Sequence, residues 1–266
     1  MNKAGSISVK VCGITEAKDA RFALELGADK LGFITYEKSP RKIDFEKIEN
    51  IKSELSLDGE KIVAVEVEPT IEHLKKIMDQ GFGVFQLHFS YDLSRDLIGQ
   101  WSQLVGAENL WLAPRLPKGV SFPEDLFCYS ETFLIDAYSE SKFGGTGECS
   151  DWRSFSLWRE KFTAKNWVLA GGISPSNISS AIEETQARHV DVNSGIEKSP
   201  GIKNYNTTGY FTNKNIPFVL NYNHDNEEVM TQFLEETVNY THNYSYGALR
   251  NTIKPPPSPF TTSRIQ

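Results

Sequence analysis

Lys10 and Cys12 stand two residues apart in the run Val-Lys-Val-Cys-Gly-Ile-Thr at positions 9–15. Alternate residues of a strand share a face, so a strand through this run sets an ammonium beside a thiol. A nearby cation stabilises thiolate and lowers the thiol pKa, which is how a cysteine becomes a base. The arrangement recurs along the chain: Gln86 and His88 share one face, Asp191 and Asn193 share another, and Asp136 closes an apolar run. Such groups move protons and grip polar substrates. Each lies at the C-terminal end of an apolar run, where packing alone explains polar side chains poorly. Plainer readings stay open. Cys12 can be a small core residue, as free cysteines often are. Lys10 can be a buried ammonium paired with Asp191, Glu66 or Asp136, and His88 a satisfied rim histidine.

Three glycine-bearing loops suggest anion binding: Gly144-Gly145-Thr146-Gly147, Gly171-Gly172 and Ser194-Gly195. Glycine lets backbone N–H groups approach a phosphate, and a following helix N-terminus adds a favourable dipole. Glycine pairs also serve ordinary turns. Arg41 sits in a charged loop, and its guanidinium suits a carboxylate or a phosphate.

The elements that must position these groups alternate regularly. Strand-like runs cover 6–12, 30–34, 61–67, 84–88, 110–114, 133–136, 167–170 and 189–192. Helix-like runs cover 16–26, 44–55, 69–78, 93–104, 152–161 and 174–185, with a short irregular helix at 123–127. About eight βα units in this length predict an α/β fold, a closed (β/α)8 TIM barrel over 1–203. An open doubly wound sheet is the alternative. In a barrel, the C-terminal rim of the strands is where chemistry sits.

Beyond 203 the rhythm stops, and 204–266 reads as an atypical polar C-terminal extension. Val229, Met230, Phe233, Leu234 and Val238 fall at helical spacing over 226–240. That helix is a candidate to replace the last barrel helix. The proline-rich stretch 254–259 and the tail after it are expected to be disordered.

Bulk properties narrow the function. The formal net charge of −7 over 266 residues gives no broad basic footprint for nucleic acid. No apolar run is long enough to span a bilayer, and the first residues show no secretory pattern. Three cysteines, Cys12, Cys128 and Cys149, are too scattered for a disulfide framework or a zinc site. A cytoplasmic protein without a metal is expected; Cys128 and Cys149 are read as structural.

The motifs in order resemble the phosphoribosylanthranilate isomerase family of tryptophan biosynthesis. They are 9–15, Leu-Gly-Ala-Asp-Lys-Leu-Gly-Phe at 26–33, Lys-Ser-Pro-Arg at 38–41, Gln-Leu-His at 86–88, Asp136-Ala137, the loop 144–147 with Asp151-Trp152, 169–172, and Val-Asp-Val-Asn-Ser-Gly-Ile-Glu-Lys-Ser-Pro-Gly at 190–201. The resemblance implies a cofactor-free Amadori rearrangement of N-(5-phosphoribosyl)anthranilate. It makes Asp136 the general acid, Cys12 the general base and Arg41 the holder of the anthranilate carboxylate. Gly171, Gly172, Ser194 and Gly195 would bind phosphate, and Lys10, Gln86, His88, Gly145 and Asp191 complete the expected substrate-binding set. The implied partner is a small phosphorylated sugar, bound by a monomer or homodimer.

Four positions depart from the family pattern: Glu66, Phe89, Ser150 and Asn193. Glu66 and Phe89 stand where they could reshape the substrate pocket. A non-catalytic sugar-phosphate-binding relative with an interaction tail is the alternative function, and a different sugar-phosphate isomerase on the same fold is a third.

Overall fold

The structure, a computed structural model, describes residues 7–117, 119–137 and 151–205. These belong to the first of two units into which the chain divides, Met1–Lys214 and Asn215–Gln266. Gly145 and its loop, Cys149, Ser150, the helix expected over 226–240 and the proline-rich stretch lie outside the described residues.

Short aliphatic runs bounded by turn residues form the strands: β1 (Ser8–Val11), β2 (Lys30–Ile34), β3 (Ile62–Val67), β4 (Val84–Ser90), β5 (Leu110–Arg115), β6 (Thr132–Ile135), β7 (Asn166–Leu169) and β8 (His189–Val192). Between them run α1 (Ala17–Glu25), α2 (Phe45–Leu55), α3 (Ile71–Met78), α4 (Arg95–Val105), α5 (Trp152–Lys161) and α6 (Ile178–Thr185). Side-chain caps satisfy free amides at several helix starts. Thr70 accepts from His73 N, Ser94 from Asp96 N and Asp151 from Ser154 N. The Thr70 cap puts the start of α3 at Ile71 rather than at Pro69.

All eight strands pair in parallel, and β1 pairs with β8, so the sheet is a closed barrel and not an open one. The closing register sets Lys10 opposite Asp191. Inward side chains fill the barrel below the rim. Ile34, Val63, Val65 and Val84 form one buried cluster with Cys12; Ala113, Leu134, Val168 and Ala170 form another. Trp111 of β5 packs against both clusters.

The alternation of strand and α-helix breaks at two places. Only a 3-10 turn, Glu124–Cys128, lies between β5 and β6. Phe122, Phe133 and Trp167 pack there edge-on or tilted at centroid distances of 4.9–5.6 Å, so aromatic area does the covering that a helix would otherwise do. After β8 comes a 3-10 turn, Ser194–Ile196, then an antiparallel pair, β9 (Glu197–Ser199) and β10 (Ile202–Lys203). The pair ties back to α1: Lys203 N donates to the buried Asp19 carboxylate at 3.1 Å, and Tyr205 packs on Phe22 at 4.5 Å.

Candidate active site

A cavity of about 490 Å3 opens at the C-terminal rim of the barrel. Its wall includes Cys12, Arg41, Gln86, His88, Asp136, Gly171, Gly172, Asp191 and Ser194. Residues far apart in sequence therefore converge because each ends a strand that points the same way. Lys10 stands one inward position below Cys12, behind the wall. Gly195 also stands behind it: a Cβ there would lie 2.0 Å from the Ile173 carbonyl oxygen. That close approach explains its glycine without invoking a ligand.

Lys10 donates to Asp191 Oδ1 at 2.8 Å, with side chains 2% and 8% exposed. Of the partners open to Lys10, the barrel register selects Asp191. The Lys10 ammonium stays charged: burial opposes it, but Asp191 and then Cys12 outweigh the burial and raise its pKa. Lys10 Nζ and Cys12 Sγ each lie 2.8 Å from where a Cβ on Gly32 would sit. The neighbouring strand thus has room for the thiol and ammonium because it carries glycine there.

Sequence alone suggests that Lys10 makes Cys12 a ready thiolate. The structure corrects this. Burial pushes the Cys12 thiol up, and Lys10 lowers it without reversing the shift. The resting group is a thiol, since Lys10 already shares its charge with Asp191.

Asp136 has the opposite requirement. Burial lifts its carboxyl to about 6; the Ala137 N–H bond pulls down, Asp191 pushes up and Lys10 pulls down. That N–H donates to Asp136 Oδ1 at 2.8 Å and holds the carboxyl in place. A carboxyl near this value keeps a protonated fraction at neutral pH, as a general acid needs.

His88 is driven down to about 4 by burial and by the Lys10 charge, so it is neutral. Gln86 Nε2 lies 2.8 Å from His88 Nε2. With a neutral ring, the amide donates and the histidine nitrogen accepts, which assigns the ring proton to Nδ1. The Gln86 amide also favours the ionised Asp191 carboxylate. Gln86 Oε1 is buried and has no hydrogen-bond partner among the described residues.

On the opposite rim, Gly171 and Gly172 adopt φ of 81° and 64°, a left-handed backbone that favours glycine. Their N–H groups meet no protein acceptor among the described residues. Asn177 Nδ2 donates to the Gly172 carbonyl at 2.8 Å, and Asn177 Oδ1 accepts from Ser174 N at 2.9 Å, fixing the turn before α6. Ser194 adds a hydroxyl from the loop after β8. Two loops therefore present groups suited to an anion.

Glu66 and Phe89 do not line the cavity, contrary to the expectation that they could reshape it. Both point outward. The Glu66 carboxylate accepts from Thr35 Oγ1 at 2.9 Å and from Val67 N at 2.9 Å, and meets His73 Nε2 of α3 at 3.1 Å. Phe89 is fully buried against Trp101 of α4, with ring centroids 6.0 Å apart. Cys128 is exposed and remote from the site, its thiol donating to Asp125 O. Sequence reasoning missed Tyr36 and Pro200 on the cavity wall, and Glu197 and Lys203 behind Arg41. Glu197 and Pro200 fall within the 190–201 motif, Lys203 signals only by its charge, and Tyr36 gives no signal.

Comparison with known proteins points repeatedly to one family. A family model described as N-(5'phosphoribosyl)anthranilate (PRA) isomerase matches residues 9–214. An N-(5'-phosphoribosyl)anthranilate isomerase of Aquifex aeolicus is 34% identical over 200 residues, 75% of this chain and 93% of that protein. A dimeric phosphoribosylanthranilate isomerase from Thermotoga maritima, solved as generated monomers, is 30% identical with a TM-score of 0.62. The match covers 77% of this chain and 96% of that one. A phosphoribosyl anthranilate isomerase in complex with reduced 1-(o-carboxyphenylamino)-1-deoxyribulose 5-phosphate is 28% identical with a TM-score of 0.62, covering 78% and 97%.

Proposed function

The chain belongs to the N-(5'-phosphoribosyl)anthranilate isomerase family, and from that premise we propose that Asp136 and Cys12 carry the proton transfers of its reaction. The activity is the family's step in tryptophan biosynthesis. N-(5-phosphoribosyl)anthranilate becomes 1-(2-carboxyphenylamino)-1-deoxyribulose 5-phosphate. In class it is an intramolecular oxidoreductase of the aldose–ketose kind: C1 is reduced and C2 oxidised within one molecule, so no external electron carrier is required.

The observation that carries this reading is a protonatable carboxyl and a buried thiol on one 490 Å3 cavity. Asp136 gives its proton to the furanose ring oxygen as the C1–O bond breaks, and the anilino nitrogen supplies the electrons, leaving an iminium. Cys12 then removes the C2 proton, and the electrons flow into the iminium to give an enolamine. Tautomerisation of the enol to the ketone, with protonation at C1, completes the rearrangement. A resting thiol suits this order. The iminium places a positive charge beside Cys12 only after ring opening, and a nearby cation favours thiolate. The thiol proton passes to the Asp136 carboxylate, which ring opening has just deprotonated and which lines the same cavity, leaving the thiolate that takes the C2 proton.

The remaining groups bind. Arg41 suits the anthranilate carboxylate, and Gly171, Gly172 and Ser194 suit the phosphate. Gln86 holds the His88 ring through the 2.8 Å contact, and neutral His88 offers Nδ1–H. Holding both ends of the substrate stretches it across the mouth and fixes the reacting carbons between acid and base. Among the described residues no helix is long and apolar enough to cross a membrane, which fits a cytoplasmic enzyme. A homodimer accords with the dimeric relative, and a monomer is the alternative. The test is rescue of a tryptophan-requiring strain that lacks this isomerase. Growth without tryptophan is expected from the wild-type chain, and none from Asp136→Ala. No rescue by a soluble wild-type chain would reject the isomerase in favour of the non-catalytic reading.

A further inference from the structure

Behind Arg41 lies a cluster of charges that the proton transfers do not use. Glu197 takes the side edge of the guanidinium: Arg41 Nε donates to Oε1 at 3.0 Å and Oε2 at 2.9 Å, and Nη2 donates to Oε2 at 2.8 Å. Lys203 Nζ donates to Glu197 Oε1 at 3.0 Å and to Asn193 Oδ1 at 3.1 Å. Gly201 N adds a third bond to Oε1 at 3.1 Å. The three charged side chains are 10%, 3% and 0% exposed for Arg41, Glu197 and Lys203. Burial pushes the Glu197 carboxyl up, but Arg41 and Lys203 outweigh it and hold the group ionised.

Two features of this cluster point toward a ligand. A guanidinium has two forked edges, and Glu197 fills only the side edge. The end edge, Nη1 with the second hydrogen of Nη2, has no protein partner among the described residues, while Arg41 lines the cavity. The cluster also sets two basic side chains, Arg41 and Lys203, against one carboxylate, with burial lowering the Lys203 pKa and Glu197 opposing that. Buried charge is costly without a counter-charge, and an anion from the cavity would supply it. The Lys10–Asp191 pair beside it is already neutral.

We propose that Glu197 is the positioning residue for Arg41, with Lys203 as the counter-ion that anchors Glu197. Together they aim the free guanidinium edge at the carboxylate on the substrate's aromatic ring. The inference rests on the proposed function for the identity of that ligand. The geometry joins two loops. Arg41 follows β2, Glu197 and Lys203 follow β8, and Asn193 links the cluster to the rim that holds Ser194. Arg41 is thus held from outside its own loop, which flanking residues alone would not orient.

The test measures anthranilate and inorganic phosphate binding by calorimetry, separately from turnover. Glu197→Gln keeps the shape and removes the charge. Glu197→Gln with Lys203→Met removes one charge of each sign and keeps the cluster's net charge, so it serves if the single variant does not fold. Anthranilate is expected to bind at least about tenfold more weakly to either variant, as misaimed charged contacts allow. Phosphate should change less than about threefold, and Glu197→Asp should recover part of the anthranilate loss. Unchanged anthranilate binding, or no binding by the wild type, overturns the inference. So does equal loss of both ligands, which is the mark of a merely structural role. A wild type that binds anthranilate but turns over no substrate would reject the isomerase reading and leave this one standing.

Discussion

Replacing Asp136 by Asn should make the protein more stable and far less active. The carboxyl titrates near 6 in the fold and near 3.9 in an unfolded chain. Below the unfolded value both states are protonated, and the carboxyl carries no penalty. Between the two values the folded state binds more protons, so stability falls as pH rises. Above the folded value the penalty is complete. A shift of about two units corresponds to about 3 kcal/mol. The group is half-buried on the cavity wall, and water in the mouth offsets part of this, so about 1–3 kcal/mol is expected. An Asn Oδ1 can keep the 2.8 Å bond from Ala137 N. Urea unfolding of wild type and Asp136→Asn at pH 4 and pH 8 measures the difference. The variant should be more stable at pH 8, with the gain shrinking toward pH 4, while turnover falls by orders of magnitude. In the wild type, kcat/KM should decline as pH rises through about 6, as the acid loses its proton. A variant equally or less stable at pH 8 would refute the claim that burial raises this carboxyl.

Other expectations follow from the same geometry. Lys10→Met leaves the Asp191 carboxylate buried without its ammonium and should cost about 3–5 kcal/mol; adding Asp191→Asn should recover part of this in a double-mutant cycle, and strict additivity would contradict a coupled pair. Alkylation mapped by mass spectrometry should label exposed Cys128 well before Cys12, which is buried and has a raised thiol pKa; faster labelling of Cys12 would mean a resting thiolate after all. Gly32→Ala would put a methyl 2.8 Å from both Cys12 Sγ and Lys10 Nζ. It should cost about 1–3 kcal/mol and lower kcat; a variant of wild-type activity and melting temperature would show that the strand gives way freely.

The barrel was legible because short aliphatic runs bounded by turn residues alternate with stretches of helical period. The rim set was legible because polar residues interrupt some of these runs near their ends: with period two, Gln86 and His88 share a face. That rule also turns Phe89 to the other face, and it does the same for Glu66 relative to Val65 and Val67. The expectation that these two shape the pocket neglected a signal already present. The state of Cys12 was less accessible. Lys10 is visible two residues away, but burial of the thiol depends on strands that close around it. The Arg41–Glu197 contact joins residues 156 apart in sequence, and it exists only because the barrel closes between β8 and β1. The pair β9–β10 was also hidden, being too short to show a period; its register depends on Lys203 reaching Asp19 of α1.

The central claim is that Cys12 and Asp136 rearrange phosphoribosylanthranilate in one cavity. Following the loss of substrate fluorescence with purified wild type, Cys12→Ala and Asp136→Ala side by side tests it most directly. The account predicts rapid loss with wild type, and rates lower by orders of magnitude with each variant while both remain folded. Full activity in either variant, or none in a folded wild type, would contradict it.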